Sequence, residues 1–94
     1  MRSIQLRVRN PSGLHARPAA LFVRTAAGFQ SAIRVRNLTR DGKDADAKSM
    51  LGVMTIGVAR DHDIEITADG SDEEAALATV AALIESGAGE ELPA

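Results

Sequence analysis

In PSGLHARPAALF, residues 11–22, an imidazole and a guanidinium stand two positions apart between a Pro-Ser-Gly turn and a run of helix formers. If a helix starts at Ala16, His15 occupies its cap position. There the first-turn N–H groups have no intrahelical partner, and the aligned peptide dipoles add partial positive charge. Arg17 adds a full charge nearby. A protonated ring is disfavoured in such a field, so His15 is expected to be neutral, with a lone pair able to attack an electrophile. The same surroundings suit an anionic product, because N–H groups at a helix start bind phosphate oxygens and a guanidinium adds charge-assisted bonds. The chemistry this spacing allows is capture of a phosphoryl group by His15. An ordinary surface histidine or an imperfect cap is the other reading. Gly13 permits a close backbone approach, expected here to admit a partner's active site. Pro18 loses nothing by lacking an N–H in a first turn.

Other constellations carry less. His62 with Asp61 and Asp63 superficially resembles a metal cluster, but three adjacent residues in a turn rarely converge on one ion. Asp44 and Asp46 share a strand face and imitate a carboxylate pair. They are read here as edge-strand charges that discourage aggregation. With no cysteine in the chain, there is no disulfide framework, thiolate nucleophile or Cys-based metal site. No metal or organic cofactor is expected.

The elements that must position His15 follow from periodicity. IQLRVR (4–9) alternates as a half-buried strand, and Asn10 to Gly13 ends it. A helix follows from Ala16 to about Ala27, with Gly28 at its stop. AIRVR alternates again, NLTRDG supplies a turn, and KDADA completes a hairpin with a long connection. SMLGVMTIG (49–57) is either a short helix capped by Ser49 or part of a buried strand. IEITA forms the fourth strand. SDEEAALATVAALIESG is a third helix, with Ser71 and Glu74 at capping-box spacing and a stripe of Leu77, Val80, Ala81 and Ile84. The expected order is β-α-β-β-α-β-α: an α+β fold in which a four-stranded antiparallel sheet is covered on one face by helices. Residues 1–87 form the domain and 88–94 a flexible C-terminal tail.

The chain's 94 residues suffice for one modest core. The formal net charge of −2 conceals an asymmetry. Ten Lys or Arg face three Asp before Ser49, and one Arg faces ten acids after it. The basic half either steers an acidic partner or phosphate, or is merely the wet side of strands. Nucleic acid is not an expected partner, because the two aromatics, Phe22 and Phe29, lie outside any strand pattern and offer no stacking platform. The opening MRSIQLRVRN alternates where a secretory signal would be continuously apolar. No stretch approaches the length needed to cross a bilayer. A soluble, cytoplasmic monomer without membrane insertion is expected.

GLHARPAALFV resembles the active-site segment of the HPr family, the small phosphocarriers of the bacterial phosphoenolpyruvate-dependent sugar phosphotransferase system. AKSMLGVMTIG resembles that family's second signature, and the likeness runs from about Ile4 to Glu85. It implies an open-faced β-sandwich of four strands and three helices. It further implies that His15 accepts phosphoryl from Enzyme I at Nδ1 and donates it to sugar-specific IIA domains, with Arg17 assisting. Ser12 and the N–H groups of Ala16 and Arg17 are expected to contribute binding. Such a protein is a phosphorylated shuttle between enzymes and not itself an enzyme. Ser49 matches the serine that HPr kinase/phosphorylase modifies in many Gram-positive relatives, and a plain N-cap is its other reading. Met50, Leu51 and Met54 are a candidate docking patch, of which about half is expected to be exposed. RNLTRDGKDADA is longer than the family's usual connection, and ARDHD has histidine and acids where relatives often have glycine. A regulatory paralogue in carbon or nitrogen control, without sugar transport, and a noncatalytic binding module are the alternatives.

Overall fold

Strands that alternate apolar and polar residues bury one face and wet the other, and their order along the chain decides where the helices can lie. In the computed structural model, which describes residues 1–93, the strands are β1 (Arg2–Arg7), β2 (Ala32–Asn37), β3 (Asp44–Asp46) and β4 (Asp63–Asp69). The helices are α1 (Ala16–Ala27), α2 (Met50–Thr55) and α3 (Glu73–Glu85). This is the order expected from the sequence. The sheet runs β1-β4-β2-β3 with every pairing antiparallel. Ile33 and Val35 of β2 and Ile64 and Ile66 of β4 meet Phe22, Val53, Val80 and Ile84 of the helices in one buried cluster. Each such side chain contributes roughly 1.5–3 kcal/mol by leaving water.

The open face of the sheet resolves the charge question locally. The register sets Arg36 across from Glu65 and Asp44, Arg34 across from Asp46, and Arg7 across from Asp63. Arg7 reaches Asp63 at 3.0 Å and Arg34 reaches Asp44 at 2.9 Å. The Arg34 hydrogen bond and charge hold the Asp44 carboxyl below its ordinary range. Asp44 and Asp46 are thus acids of an edge strand facing arginines, and the strand arginines are largely matched within the sheet.

The ambiguous 49–57 segment is a helix. Ser49 caps it, with Oγ accepting the Gly52 N–H at 3.0 Å. Val53 and Ile56 turn into the core, whereas Met50 and Met54 are each 36% exposed and Leu51 is 79% exposed. The whole candidate patch is therefore at the surface, not half of it, because Val53 and Ile56 alone suffice to anchor so short a helix.

At α3 the expected Ser71–Glu74 capping box does not form. The N-cap is Asp72, which makes no cap bond of its own. Its carboxylate instead accepts the Gln30 N–H at 2.8 Å, the Ser31 N–H at 2.9 Å and the Ser31 hydroxyl. Those donors, the Ser31 hydroxyl foremost, lower its pKa. Glu73 reaches back to the Gly70 N–H at 3.1 Å, moving the reciprocal contact one residue earlier.

The C-terminal segment also departs from expectation. Where a free tail was expected from residue 88, Ala88 is fully buried and its N–H donates to the Leu83 carbonyl at 2.9 Å. The Glu90 N–H then closes a turn on Gly87 at 2.9 Å.

Candidate functional site

His15 is the N-cap of α1, in extended conformation (φ −124°, ψ 159°), and its side chain makes no cap hydrogen bond. The residue is exposed. The first intrahelical bond runs from the Ala19 N–H to the His15 carbonyl. Because Pro18 has no N–H, the orphan donors of this first turn reduce to those of Ala16 and Arg17. Ala16 has φ +49°, a left-handed backbone that costs a residue with a Cβ roughly 1–2 kcal/mol. The cap position is thus built from a free ring, two free N–H groups and a strained residue between them.

The segment that delivers His15 is gripped on two sides. On one side runs the 58–62 turn. The Leu14 N–H donates to the Val58 carbonyl at 3.0 Å, and the Leu14 side chain is fully buried. Gly13 has φ +58°, and a Cβ there would fall on the Val58 carbonyl oxygen and 2.8 Å from Ala59 Cα. Glycine is therefore required by the chain's own backbone at this point. One residue past β1, the Val8 N–H donates to the His62 carbonyl at 2.9 Å and its carbonyl accepts the Asp61 N–H at 2.6 Å.

On the other side lies the C-terminal segment. One oxygen of the Glu90 carboxylate accepts the Ser12 N–H and the Asn10 amide, each at 2.9 Å, and the other accepts the Ser12 hydroxyl at 2.8 Å. Those donors, the Asn10 amide foremost, hold the Glu90 carboxyl below its ordinary value. Asn10 also donates to the Gly13 carbonyl at 2.9 Å, which closes the loop from within. Both donors of Ser12, expected to serve phosphate, are thus engaged by a carboxylate of the same chain. Arg17 is exposed and forms no salt bridge among the described residues. Its Nε lies 3.8 Å from where a Cβ on Gly89 would stand.

His15, Arg17, Ala16 and Ser12 thus share one loop and helix start, and α2, with Ser49 and the exposed Met50, Leu51 and Met54, packs against α1. Asn10 and Glu90 were not singled out from the sequence. Asn10 reads only as the end of a strand, and nothing in a short aperiodic tail marks Glu90 for a loop nearly eighty residues earlier. Among the described residues no group of three His, Asp or Glu is placed to hold a metal ion, Asp61–His62–Asp63 included. Among the described residues no helix is long and apolar enough to cross a membrane.

Residues 2–86 match the family model described as the PTS HPr component phosphorylation site. The chain belongs to the HPr family. HPr proteins are phosphocarriers of the phosphotransferase system, and the two signatures quoted above lie inside the matched span. A multiphosphoryl transfer protein of Vibrio cholerae is 46% identical over 84 residues, covering 89% of this chain and 21% of that protein. The chain therefore spans about a fifth of that relative's length. The crystal structure of HPr-C-His from Thermoanaerobacter tengcongensis superposes with a TM-score of 0.91 at 46% identity, covering 98% of this chain and all of that one. Crh, a catabolite-repression protein of Bacillus subtilis whose crystal is a swapped dimer, superposes with a TM-score of 0.70 at 38% identity, covering 93% and 97% of the two chains. The HPr fold, a four-stranded antiparallel open sheet with three helices, is the one observed here.

Proposed function

We propose that His15 accepts a phosphoryl group from Enzyme I and passes it to sugar-specific IIA domains. The neutral ring attacks the phosphorus of phosphohistidine on the donor. A new nitrogen–phosphorus bond forms as the old one breaks, with its electron pair returning to the donor imidazole. The observation that carries this reading is the exposed His15 ring, which is not used as a cap although it stands at a helix start. The N–H groups of Ala16 and Arg17 and the Arg17 guanidinium are the donors on hand for the phosphate. The Met50, Leu51 and Met54 surface beside α1 suits docking to several partners, since thioethers adapt their shape. The chain acts as a cytoplasmic monomeric shuttle and needs no metal or organic cofactor, because transfer rests on positioning and charge stabilisation across a transient interface.

Incubation with phosphoenolpyruvate and Enzyme I, followed by intact mass at alkaline pH, tests this. Gain of one acid-labile phosphoryl group, absent from His15→Ala, is expected. A folded wild-type protein that never takes the group would defeat the reading.

A second reading draws on the likeness to Crh: a regulatory carrier whose phosphorylation reports metabolic state, with Ser49 as substrate of an HPr kinase/phosphorylase. Transfer from phosphorylated protein to a sugar IIA domain separates the two, because only the sugar carrier completes it.

A further inference from the structure

The 59–62 turn holds the chain's second imidazole, which phosphoryl transfer does not use. The Ala59 carbonyl accepts the His62 N–H at 3.1 Å, and Asp61, third in the turn, has φ +69°, where glycine is at ease and a residue with a Cβ is strained. The ring contributes what the backbone lacks. His62 Nδ1 lies 3.1 Å from the Ala59 N–H and 3.2 Å from Nδ2 of Asn37. The orientation of Asn37 is fixed independently. Its Oδ1 accepts the N–H groups of Thr39 and Arg40, and its Nδ2 donates to the Ile56 carbonyl at 3.0 Å. Both neighbours of Nδ1 are donors, so Nδ1 is the acceptor and the ring proton sits on Nε2. One atom therefore ties the 59–62 turn to Asn37 at the end of β2. The Val58–Ala59 peptide, whose N–H the ring accepts, is the wall on which Gly13 and Leu14 rest.

We propose that His62 is a positioning residue for the phosphoryl-acceptor segment, its unprotonated Nδ1 clamping the turn that holds Gly13 and Leu14, and hence the His15 backbone, in place. Its effect on transfer rests on the carrier reading above; its effect on the segment does not. A proton on Nδ1 would replace the acceptor by another donor facing Ala59 N–H and the Asn37 amide, and acidification would slacken the approach to His15. The charged groups on the surrounding segments are Arg60 and Asp61 of the turn, Asp63 at the start of β4, Arg40, Asp41 and Lys43 of the β2–β3 connection, and Arg7 and Arg9 at the end of β1 and beyond it. Asp63 is paired with Arg7, and Asp61 lies 3.8 Å from Arg60. Carboxylates, guanidinia and lysine ammonium groups as classes do not titrate in the imidazole window.

With two histidines in the chain, His15→Ala leaves His62 as the sole imidazole, and amide NMR between about pH 7 and about pH 5.5 follows that ring, while the Met1 amine, raised above its ordinary value by its bond to Glu73, stays charged. The Gly13 and Leu14 amides are expected to move in step with the His62 ring. In the double variant with His62→Asn, whose Oδ1 stands near the Nδ1 position and accepts at every pH in that range, they are expected to stay still. Gly13 and Leu14 signals that ignore the titrating ring would overturn the proposal. In the His15 protein, His62→Ala is expected to slow phosphoryl uptake by about three- to tenfold, and His62→Asn to restore the rate and flatten its fall toward acid. Uptake by His62→Ala at the wild-type rate would equally overturn the proposal. If His62→Ala does not fold, the His62→Asn profile and the amide shifts decide. If no protein takes the phosphoryl group, the carrier reading fails while the amide shifts still judge the clamp.

Discussion

Two helices of this chain begin at a side chain that phosphate chemistry could use, and the two starts are built in opposite ways. Ser49 Oγ accepts the Gly52 N–H and so completes α2 from within. The His15 side chain gives nothing to α1, whose start is secured by neighbours: Leu14 bonded to Val58, Ser12 to Glu90, and Asn10 to Gly13 and Glu90. A side chain that satisfies its helix is committed to it. One that does not leaves both itself and the helix donors available to a ligand. Damage at the α2 start should therefore appear as lost stability, and damage at His15 as lost function.

The largest separation is expected from His15→Ala. It removes no hydrogen bond made by the ring, so stability should change by no more than about 0.5 kcal/mol, while phosphoryl uptake disappears. Paired urea melts and phosphorylation assays check both halves. A variant that unfolds early would mean that the ring braces the helix after all.

Gly13→Ala attacks the outside support. The added methyl meets the Val58 carbonyl and must adopt a left-handed backbone, which together should cost about 2–4 kcal/mol. Chemical denaturation measures it. A loss under about 1 kcal/mol would show that the 58–62 turn yields easily and is no wall.

Ser49→Ala removes a satisfied cap and is expected to lower stability by about 1 kcal/mol. His15→Asp should do the reverse on a smaller scale, adding roughly 0.5 kcal/mol, because a carboxylate gains a cap bond and favourable dipole alignment. Its gain is limited because Pro18 leaves few N–H groups to cap. Opposite signs in parallel thermal melts would sharpen the contrast between the two starts, and equal signs would remove it.

How much of this the sequence reveals depends on the range of the interactions. The strand and helix order is legible because period-2 and period-3.6 patterns are local, and His15 stands out because its neighbours in the chain are also the parts of its turn. The face of α2 is not legible, since only the sheet beneath decides that Val53 enters the core while Leu51 stays wet. The reason for Gly13 lies in a backbone segment some forty-five residues later. Asp72 is diverted from capping its own helix by Gln30 and Ser31, and no helix-start rule anticipates donors from another loop.

The subtlest difference between the two starts is their response to acid. Ser49 has no titratable partner, whereas the α1 loop is held by the Glu90 carboxylate, whose folded-state pKa is lowered, chiefly by the Asn10 amide and then by the two donors of Ser12. A carboxyl lowered on folding adds stability that is fully present above its unfolded value, about 4.3 for glutamate, and is lost as pH falls through the lower folded value. Asp44, Asp72 and Glu73 are lowered as well, so wild-type stability should decline in acid from all four. Glu90→Gln keeps the shape but removes one titrating group. The gap between wild type and variant should therefore be greatest near neutrality and shrink as the pH drops below the ordinary carboxylate range. Melts recorded across that range test the sign. A gap that stays constant would mean that the Glu90 contacts act through shape alone and that charge contributes nothing to holding the loop before His15.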